Sequence, residues 1–493
     1  MYELPCTLSV QLAPMSEVIK HDANRRRFLK TAAAAGAATG VVAATTNALF
    51  PTLMPEKQVF EANQSYWSSA LPPASSALQR DIEANVVIIG GGLTGLSAAY
   101  YLKKTNPSDR VVLVEAMRCG NGASGRNGAM LLTSTEDRYM VWSGDQGLDK
   151  RIYDLTVDNA QRLAQLSSGL NFDVELELNG ALQMCNTHEL ADEVRPSVEK
   201  FRRTGIPYEF WDRQRIVDTV GTLAYPGAVF DPESGQVHPG KLVGLFKTAA
   251  ESAHVEIYEA SPVRSVDEGE ILTIVTANGR RIRTRSLILA TNAYSSKLGY
   301  LRGATTPVFD YMGMTAPLSE SRLSKIGWKK RIPFNDSRTE VFYLGLTKDN
   351  RIHIGGGPVD YTFNNGLREP RNTAKRFESL SEELGRIFPA LADEPFERTW
   401  SGAVDMSLDQ TPSVGQMGKY GNIFYAVGFC GHGVNLTSVF GRILADLVHG
   451  ESKEWAWLPY LNRLPLYTPN EPFRWLGVQA ALAYYRHTDP KVP

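Results

Sequence analysis

"VVIIGGGLTGLSAAYYL", Val86 to Leu102, decides the fold. Asn85 to Ile89 is a run of buried-strand residues, and Gly90-x-Gly92-x-x-Gly95 is a turn. Leu96 to Lys104 has helical spacing, with Leu96, Ala99, Tyr100 and Lys103 one turn apart. The first glycine permits the tight turn, the second lets the backbone approach a ligand, and the third lets helix pack on strand. A pyrophosphate then meets the positive end of the helix. A second strand, Arg110 to Val114, ends on Glu115, an acid about 20 residues further on that can accept ribose hydroxyls. The pattern predicts a Rossmann-type dinucleotide-binding unit in an α/β chain.

NAD and FAD share this fingerprint, so the next stretch must separate them. "EAMRCGNGASGRNGAML", Glu115 to Leu131, has closely spaced glycines with Ser124, Arg126 and Asn127 among them, backbone that can lie against a flat ring. Here the chain resembles the D-amino-acid-oxidase-like (DAO) family of FAD proteins, and within it the branch typified by gamma-glutamylputrescine oxidase, in which GASGRNGG follows the second strand. Ala129 stands in place of the last glycine. "SYW" at Ser65 to Trp67 is similar to that branch's N-terminal extension. Further blocks follow in the family's order: Gln236 to Pro239, Pro262-Val263, "SLILATNAY" from Ser286, "IHIGGG" from Ile352, "WSGAVDMSLDQTPSVG" from Trp400 and "NIFYAVGFCGHGVNL" from Asn422.

The resemblance implies an α/β fold in which a glutathione-reductase-like, Rossmann-type FAD domain is interleaved with an antiparallel-sheet substrate domain. The first motif would supply Gly90, Gly92, Leu93, Thr94 and Gly95, with Glu115, Ala116 and Arg118 at the ribose. The ring-facing stretch would be Ser124, Gly125, Arg126, Asn127, Gly128, Ala129 and Met130. Val263 lies where the family's adenine-contacting valine lies, and Thr291 and Asn292 where its chain returns to FAD. Trp400, Gly402, Gly431, His432, Gly433, Val434 and Asn435 complete the implied cofactor set.

Asn422 to Val427 reads as a strand, Gly428 to Gly433 as a glycine turn, and Asn435 to Val448 as a helix with Leu436, Phe440, Leu444 and Leu447 on one face. A helix N-terminus carries roughly half a positive charge, which would stabilise the anion developing on a flavin as it accepts a hydride. His432, in that turn, is a candidate general base, or else a backbone-pinning or flavin-contacting group. In the family a covalent tether is a His near the first motif or a Cys near Trp400. Arg126 and Trp400 hold those places, so noncovalent FAD is expected.

"VELELNGALQMC" and "EVFYLGLTKDNRIHIGG" alternate like strands, the latter a hairpin turning at Asp349-Asn350. Tyr311, Met312, Phe342 and Tyr343 are either pocket walls or core. Relatives that oxidise N-methylated amino acids carry a carboxylate-binding lysine where this chain has Asn435, and the branch tends to have an arginine where it has Gly345. The substrate class expected is therefore an amine or amino acid without a fixed cation for its carboxylate. Aligning those relatives' strand on "IHIGG" puts His353 at the place of an oxygen-activating lysine, so the resemblance makes His353 a second catalytic candidate. A histidine of ordinary pKa, about 6.5, would be only partly charged there at neutral pH. The acceptor would be oxygen or a quinone-type carrier. The other reading of His353 is a strand residue facing away from the flavin.

The domain plan is a signal or anchor over 1–50, a linker over 51–84, an FAD domain from 85–147, 231–302 and 399–450, a substrate domain from 148–230 and 303–398, and a helical tail over 451–493. Arg25-Arg26-Arg27-Phe28-Leu29-Lys30 before a weakly apolar stretch to Ala48 has the layout of a twin-arginine export signal. That predicts a periplasmic or membrane-associated protein, a cytoplasmic one being the alternative. The 52 basic and 53 acidic residues leave a net charge of -1, so no field steers a polyanion and no nucleic acid is expected. Cys6, Cys119, Cys185 and Cys430 have no metal-ligand or disulfide spacing; reduced thiols and no metal are expected. The tail from Pro472 to Asp489 has an amphipathic spacing that fits a helix docked on its own domain or one in peripheral membrane contact. Against the leading reading, an enzyme taking a hydride from carbon beside an amine nitrogen, stands a flavin-carrying accessory subunit without turnover.

Overall fold

The computed structural model describes residues 65–134, 145–370, 373–463 and 465–490; the arginine-rich segment at Arg25 lies outside them. In chain order the strands are β1 Ile82–Ile89, β2 Val111–Val114, β3 Met130–Leu131, β4 Ala181–Cys185, β5 Glu209–Asp212 and β6 Gly227–Asp231. They continue as β7 Gly235–Gln236, β8 Glu256–Tyr258, β9 Val263–Asp267, β10 Leu272–Thr276, β11 Arg281–Leu289 and β12 Thr306–Thr315. The last six are β13 Phe334–Asn335, β14 Phe342–Leu346, β15 Ile352–Gly356, β16 Phe396–Met406, β17 Ser413–Met417 and β18 Ile423–Val427. The α-helices are α1 Leu93–Thr105, α2 Gln146–Gly169, α3 His188–Arg203, α4 Arg213–Val220, α5 Pro239–Ser252, α6 Glu320–Ile326, α7 Ala374–Ile387, α8 Gly433–Val448 and α9 Phe473–Thr488.

The first sheet runs β17-β18-β11-β1-β2-β8, with β9 and β10 joined to β11. β18, β11, β1, β2 and β8 are mutually parallel. Val86 to Ile89 of β1, Val111 to Val114 of β2 and Ile423 to Val427 of β18 are buried on both faces, which is why they read as continuous apolar runs rather than alternating ones. One face is covered by α1, α5 and α8, whose Leu96, Phe246 and Phe440 share a core cluster with Ile88 and Leu113. Helices α1 and α8 approach so closely that a Cβ on Gly441 would lie 2.0 Å from Ser97 Oγ. The two glycine turns thereby come to one end of the sheet.

The second sheet runs β16-β12-β15-β14-β13-β4-β6-β5. It is antiparallel, as expected, apart from the two-residue strand β13, which pairs parallel with β4. β16 pairs with β12 from Met406 to Phe396, so the boundary expected at 399 falls inside a strand of this sheet. The β14–β15 hairpin turns where the sequence places it, with Asn350 in the left-handed region at φ 66.

The segment read as a linker over 51–84 is, from Ser65 on, packed structure. Trp67 is 1% exposed in a short 3-10 helix, Tyr66–Ala70. Lys247 of α5 is buried with Glu259 at 2.9 Å and also donates to Pro73 O at 2.6 Å. Glu259 accepts from Ser75 N and from Cys119 N as well. Burial alone would raise the Glu259 carboxyl, but these donors hold it below the ordinary range. A buried charge so fully partnered leaves the chain from Leu71 to Ser75 little freedom.

Candidate functional site: a glycine-lined groove between the two sheets' elements

Gly90 has φ 111, and a Cβ there would stand 2.4 Å from Ala290 O. A Cβ on Gly95 would meet Gly90 O at 2.0 Å, so the third glycine is what lets α1 start directly behind the turn. Gly92 faces Ser124, whose Oγ accepts from Leu93 N at 2.9 Å. Glu115 accepts from Gly91 N at 2.7 Å and Met117 N at 2.9 Å; burial raises its carboxyl, and these amides oppose the rise. Thus Gly90 to Gly95, Glu115, Ser124 and the Ala290-Thr291 corner are brought together as the motif spacing implies. Val263 starts β9 just after Ser261, whose N–H bonds Glu115 O at 2.8 Å, so it too borders this end.

At the other end of the groove lie Ser124 to Met130 and the turn before α8. Arg126 donates to Asn121 O and Ser401 O at 2.8 Å each, and Trp400 Nε1 donates to Arg126 O at 2.9 Å. Ala129, where the family has glycine, holds φ 61, a conformation that a side chain pays for and glycine does not. The turn is braced from beneath: Gly428 N donates to Asp405 Oδ2 at 2.8 Å, and Cys430 N to Asp405 O at 3.2 Å. Asp405 is buried, which raises its carboxyl. Gly431, just before α8, is exposed, and a Cβ there would meet nothing within 4 Å. Sequence reasoning missed Asp405, although an acid in a strand next to a glycine turn is the signal that could have found it.

His432 is mostly buried, its Nδ1 3.2 Å from Cys430 O. That contact supports the pinning role more than a base role. The resemblance implies Asn435 at the cofactor, but its side chain is used up elsewhere. Its Nδ2 donates to Leu132 O and Thr156 O, both 3.0 Å, and its Oδ1 accepts from Asn159 at 2.7 Å. It ties α8 to α2 and to the end of β3, and only its backbone is left for a ligand. Thr291 bonds Ser295 Oγ at 2.8 Å, and Asn292 sits at φ 44 with its Oδ1 lacking a protein partner.

The strand register sorts the wall residues. Tyr311 and Phe342 lie in the core with Leu380 and Leu384 of α7. Met312, directly opposite Gly355 and Trp400, and Tyr343, also opposite Gly355, lie on the other side, towards Gly128 and Ala129. A Cβ on Gly128 would stand 2.3 Å from the Tyr343 ring. The Tyr343 hydroxyl donates to Asp310 Oδ2 at 2.6 Å, and Asp310 lies opposite Gly402 in the ladder. His353 shares this side, yet both its ring nitrogens are sealed and without a partner. Its ring occupies the room that Gly345 leaves, Nε2 lying 2.3 Å from where a Cβ would stand. Burial pushes its pKa down to about 3, so the ring is neutral at neutral pH rather than partly charged. A side chain at position 345 would therefore displace the His353 ring.

The groove fits FAD: two glycine turns at helix N-termini, an acid at the ribose position, and a backbone stretch that packs directly on Tyr343. Among the described residues no cluster of His, Cys, Asp or Glu could hold a metal ion, and no helix is long and apolar enough to cross a membrane. Comparison with known proteins agrees with this geometry. The gamma-glutamylputrescine oxidoreductase of Escherichia coli (strain K12) is 27% identical over 445 residues, 87% of this chain and 99% of that protein. The glycine oxidase of Geobacillus kaustophilus (strain HTA426) is 24% identical over 380 residues, 76% of this chain and 94% of that protein. The crystal structure of glycine oxidase from Geobacillus kaustophilus superposes with a TM-score of 0.67 at 21% identity, covering 78% of this chain and 99% of that one. The family profile described as FAD dependent oxidoreductase matches residues 85–447, and the chain belongs to that DAO family.

Proposed function

We propose that the protein oxidises the C–N bond of an amine or amino acid by hydride transfer to noncovalently held FAD, giving an imine that water hydrolyses. That it is an FAD-dependent oxidoreductase acting on amines or amino acids follows from its family and relatives. The observation that carries the finer reading is the meeting of Tyr343 with Gly128, which brings the substrate sheet onto the ring-binding stretch. Bound FAD supplies the hydride acceptor. The N-terminus of α8 would stabilise the negative charge that the transfer creates. Asp310 and Tyr343 orient the amine, and the Met312 and Trp400 side chains exclude water from it. Position dominates, because among the described residues no side chain near Gly128 and the turn before α8 is arranged as a strong base.

Noncovalent attachment is supported by the chemistry of the two tether positions: Arg126 and Trp400 are both engaged with backbone and neither is a nucleophile. Acid precipitation should release the yellow colour into the supernatant, and colour retained in the pellet contradicts this. Anaerobic mixing with primary amines, secondary amines and amino acids should bleach the flavin band for at least one class. A flavin that dithionite bleaches but no member of the panel does would return the accessory-subunit reading. Export through Arg25 to Lys30 and electron delivery to oxygen or a quinone-type carrier belong to the same proposal. Fusing residues 1–55 to a folded reporter, with lysines for Arg25, Arg26 and Arg27 as the control, tests the first. Reoxidation of the reduced enzyme by oxygen and by a soluble quinone tests the second.

A further inference from the structure

Three successive carbonyls of the ring-binding stretch are each taken by a side chain from elsewhere. Ser65 Oγ donates to Gly125 O at 2.6 Å, Trp400 Nε1 to Arg126 O at 2.9 Å, and Trp67 Nε1 to Asn127 O at 2.9 Å. In a trans peptide the N–H points opposite to the carbonyl of the same plane. Fixing the oxygens of Arg126 and Asn127 on the two indoles therefore aims the amides of Asn127 and Gly128 away from them. Among the described residues neither amide has an acceptor in the protein. The amide of Arg126, by contrast, is spent on Ala123 O at 3.1 Å.

We infer that Trp67, with Trp400, is a positioning residue that presents the Asn127 and Gly128 amides as a fixed donor pair to the flavin ring. This rests on FAD occupying the groove.

Trp67 is built for such a role. Its ring stands edge-on to His238, His353 and Trp400 at centroid distances of 4.9, 5.7 and 6.2 Å, so it cannot rotate. Its backbone oxygen lies where a Cβ on Gly240 would stand, 2.2 Å away, so α5 holds the backbone too. Met312, Met314 and Ala129 complete the cluster around it. One indole thus locks the ring-binding stretch to the substrate sheet. Donors fixed before the reaction cost nothing to reorganise when charge develops, which is where such groups gain their effect.

The test uses the full-length holoenzyme with Trp67→Phe, which keeps an aromatic ring and removes the N–H. The dissociation constant of FAD should rise about tenfold, the loss expected for one well-placed hydrogen bond. The flavin's midpoint potential should fall by about 30 mV, the two-electron equivalent of a tenfold change, and the flavin band should shift. Leu71→Ala, in the same segment but bonded to no carbonyl of the stretch, should lower the melting temperature and move neither potential nor band. Trp400→Phe should reproduce the Trp67→Phe shifts, and it decides the matter if Trp67→Phe fails to fold. A Trp67→Phe enzyme with wild-type potential, band position and FAD affinity would overturn the inference, even if its melting temperature falls. Wild-type protein that holds no FAD would instead remove the reading beneath it.

Discussion

The strands β12, β14 and β15 present two sides of opposite use, although the side chains on both are large and mostly apolar. One side carries Phe309, Tyr311, Phe342, Leu344, Ile352 and Ile354, closed by α7 into a conventional core. The other carries Asp310, Met312, Met314, Tyr343 and His353, interrupted by Gly345 and Gly355. There large side chains fill the space that the glycines leave: Tyr343 and Met312 at Gly355, His353 at Gly345. That arrangement lets the backbone at Gly128 come down on the sheet. The difference teaches that a site face need not be polar. What marks it is glycine facing a bulky neighbour across the ladder, with a single acid, Asp310, among the apolar groups.

Substitutions on the two sides should therefore separate stability from flavin chemistry. Ile354→Ala, on the core side, should cost about 2–5 kcal/mol in denaturant unfolding and leave the flavin band in place. A shifted band with unchanged stability would break the distinction.

His353 belongs to the glycine-bearing side but is sealed like a core residue, and it makes the fold sensitive to acid. Its folded pKa is pushed below the ordinary value, so the neutral ring favours folding above about pH 6.5. That stability is lost as pH falls from 6.5 towards 3, at up to about 1.4 kcal/mol per pH unit. Between pH 6.5 and 5 the wild type should lose about 2 kcal/mol that a His353→Leu variant does not. Equal losses in both proteins would mean that the ring finds a proton partner.

Tyr343→Phe should do the reverse of Ile354→Ala. Without the phenol on Asp310, amine-driven flavin reduction should slow about tenfold, the effect of one hydrogen bond to a charged group. Its melting temperature should change little. The smallest effect belongs to Ala129→Gly, which relieves φ 61 while freeing the unfolded chain. Stability should change by less than about 1 kcal/mol, with any gain appearing as a higher denaturant midpoint.

The first motif was legible because its chemistry is local: Gly90, Gly95 and Glu115 act within one strand–turn–helix. The same holds for β18 and α8 around Gly428 to Gly433, and for the Asp349-Asn350 hairpin. What depends on distant partners was not legible. The pair Tyr311 and Met312 cannot be sorted from the sequence, since both are large side chains that pack well in a core, and only the ladder with Gly355 and Trp400 decides which side each takes. Asn435 reads as a ligand group until α2 supplies Asn159. The residues from Ser65 to Ser75 have the composition of a linker, and their order comes from Gly125, Asn127, Lys247 and Glu259, which are far away in sequence. The tail was half legible: α9 forms and buries Arg474 and Leu482, but Trp475 and Leu476 are exposed.

The central claim is that the glycine-bearing side of β12, β14 and β15 closes over the ring held by residues 124–130. A crystal structure of the yellow holoenzyme tests it most directly. The flavin ring should lie against Gly128, with Met312, Tyr343 and Gly402 around the reacting face and the amides of Asn127 and Gly128 within hydrogen-bond distance of it. A ring found elsewhere, with Tyr343 and Asp310 remote from it, would contradict the account.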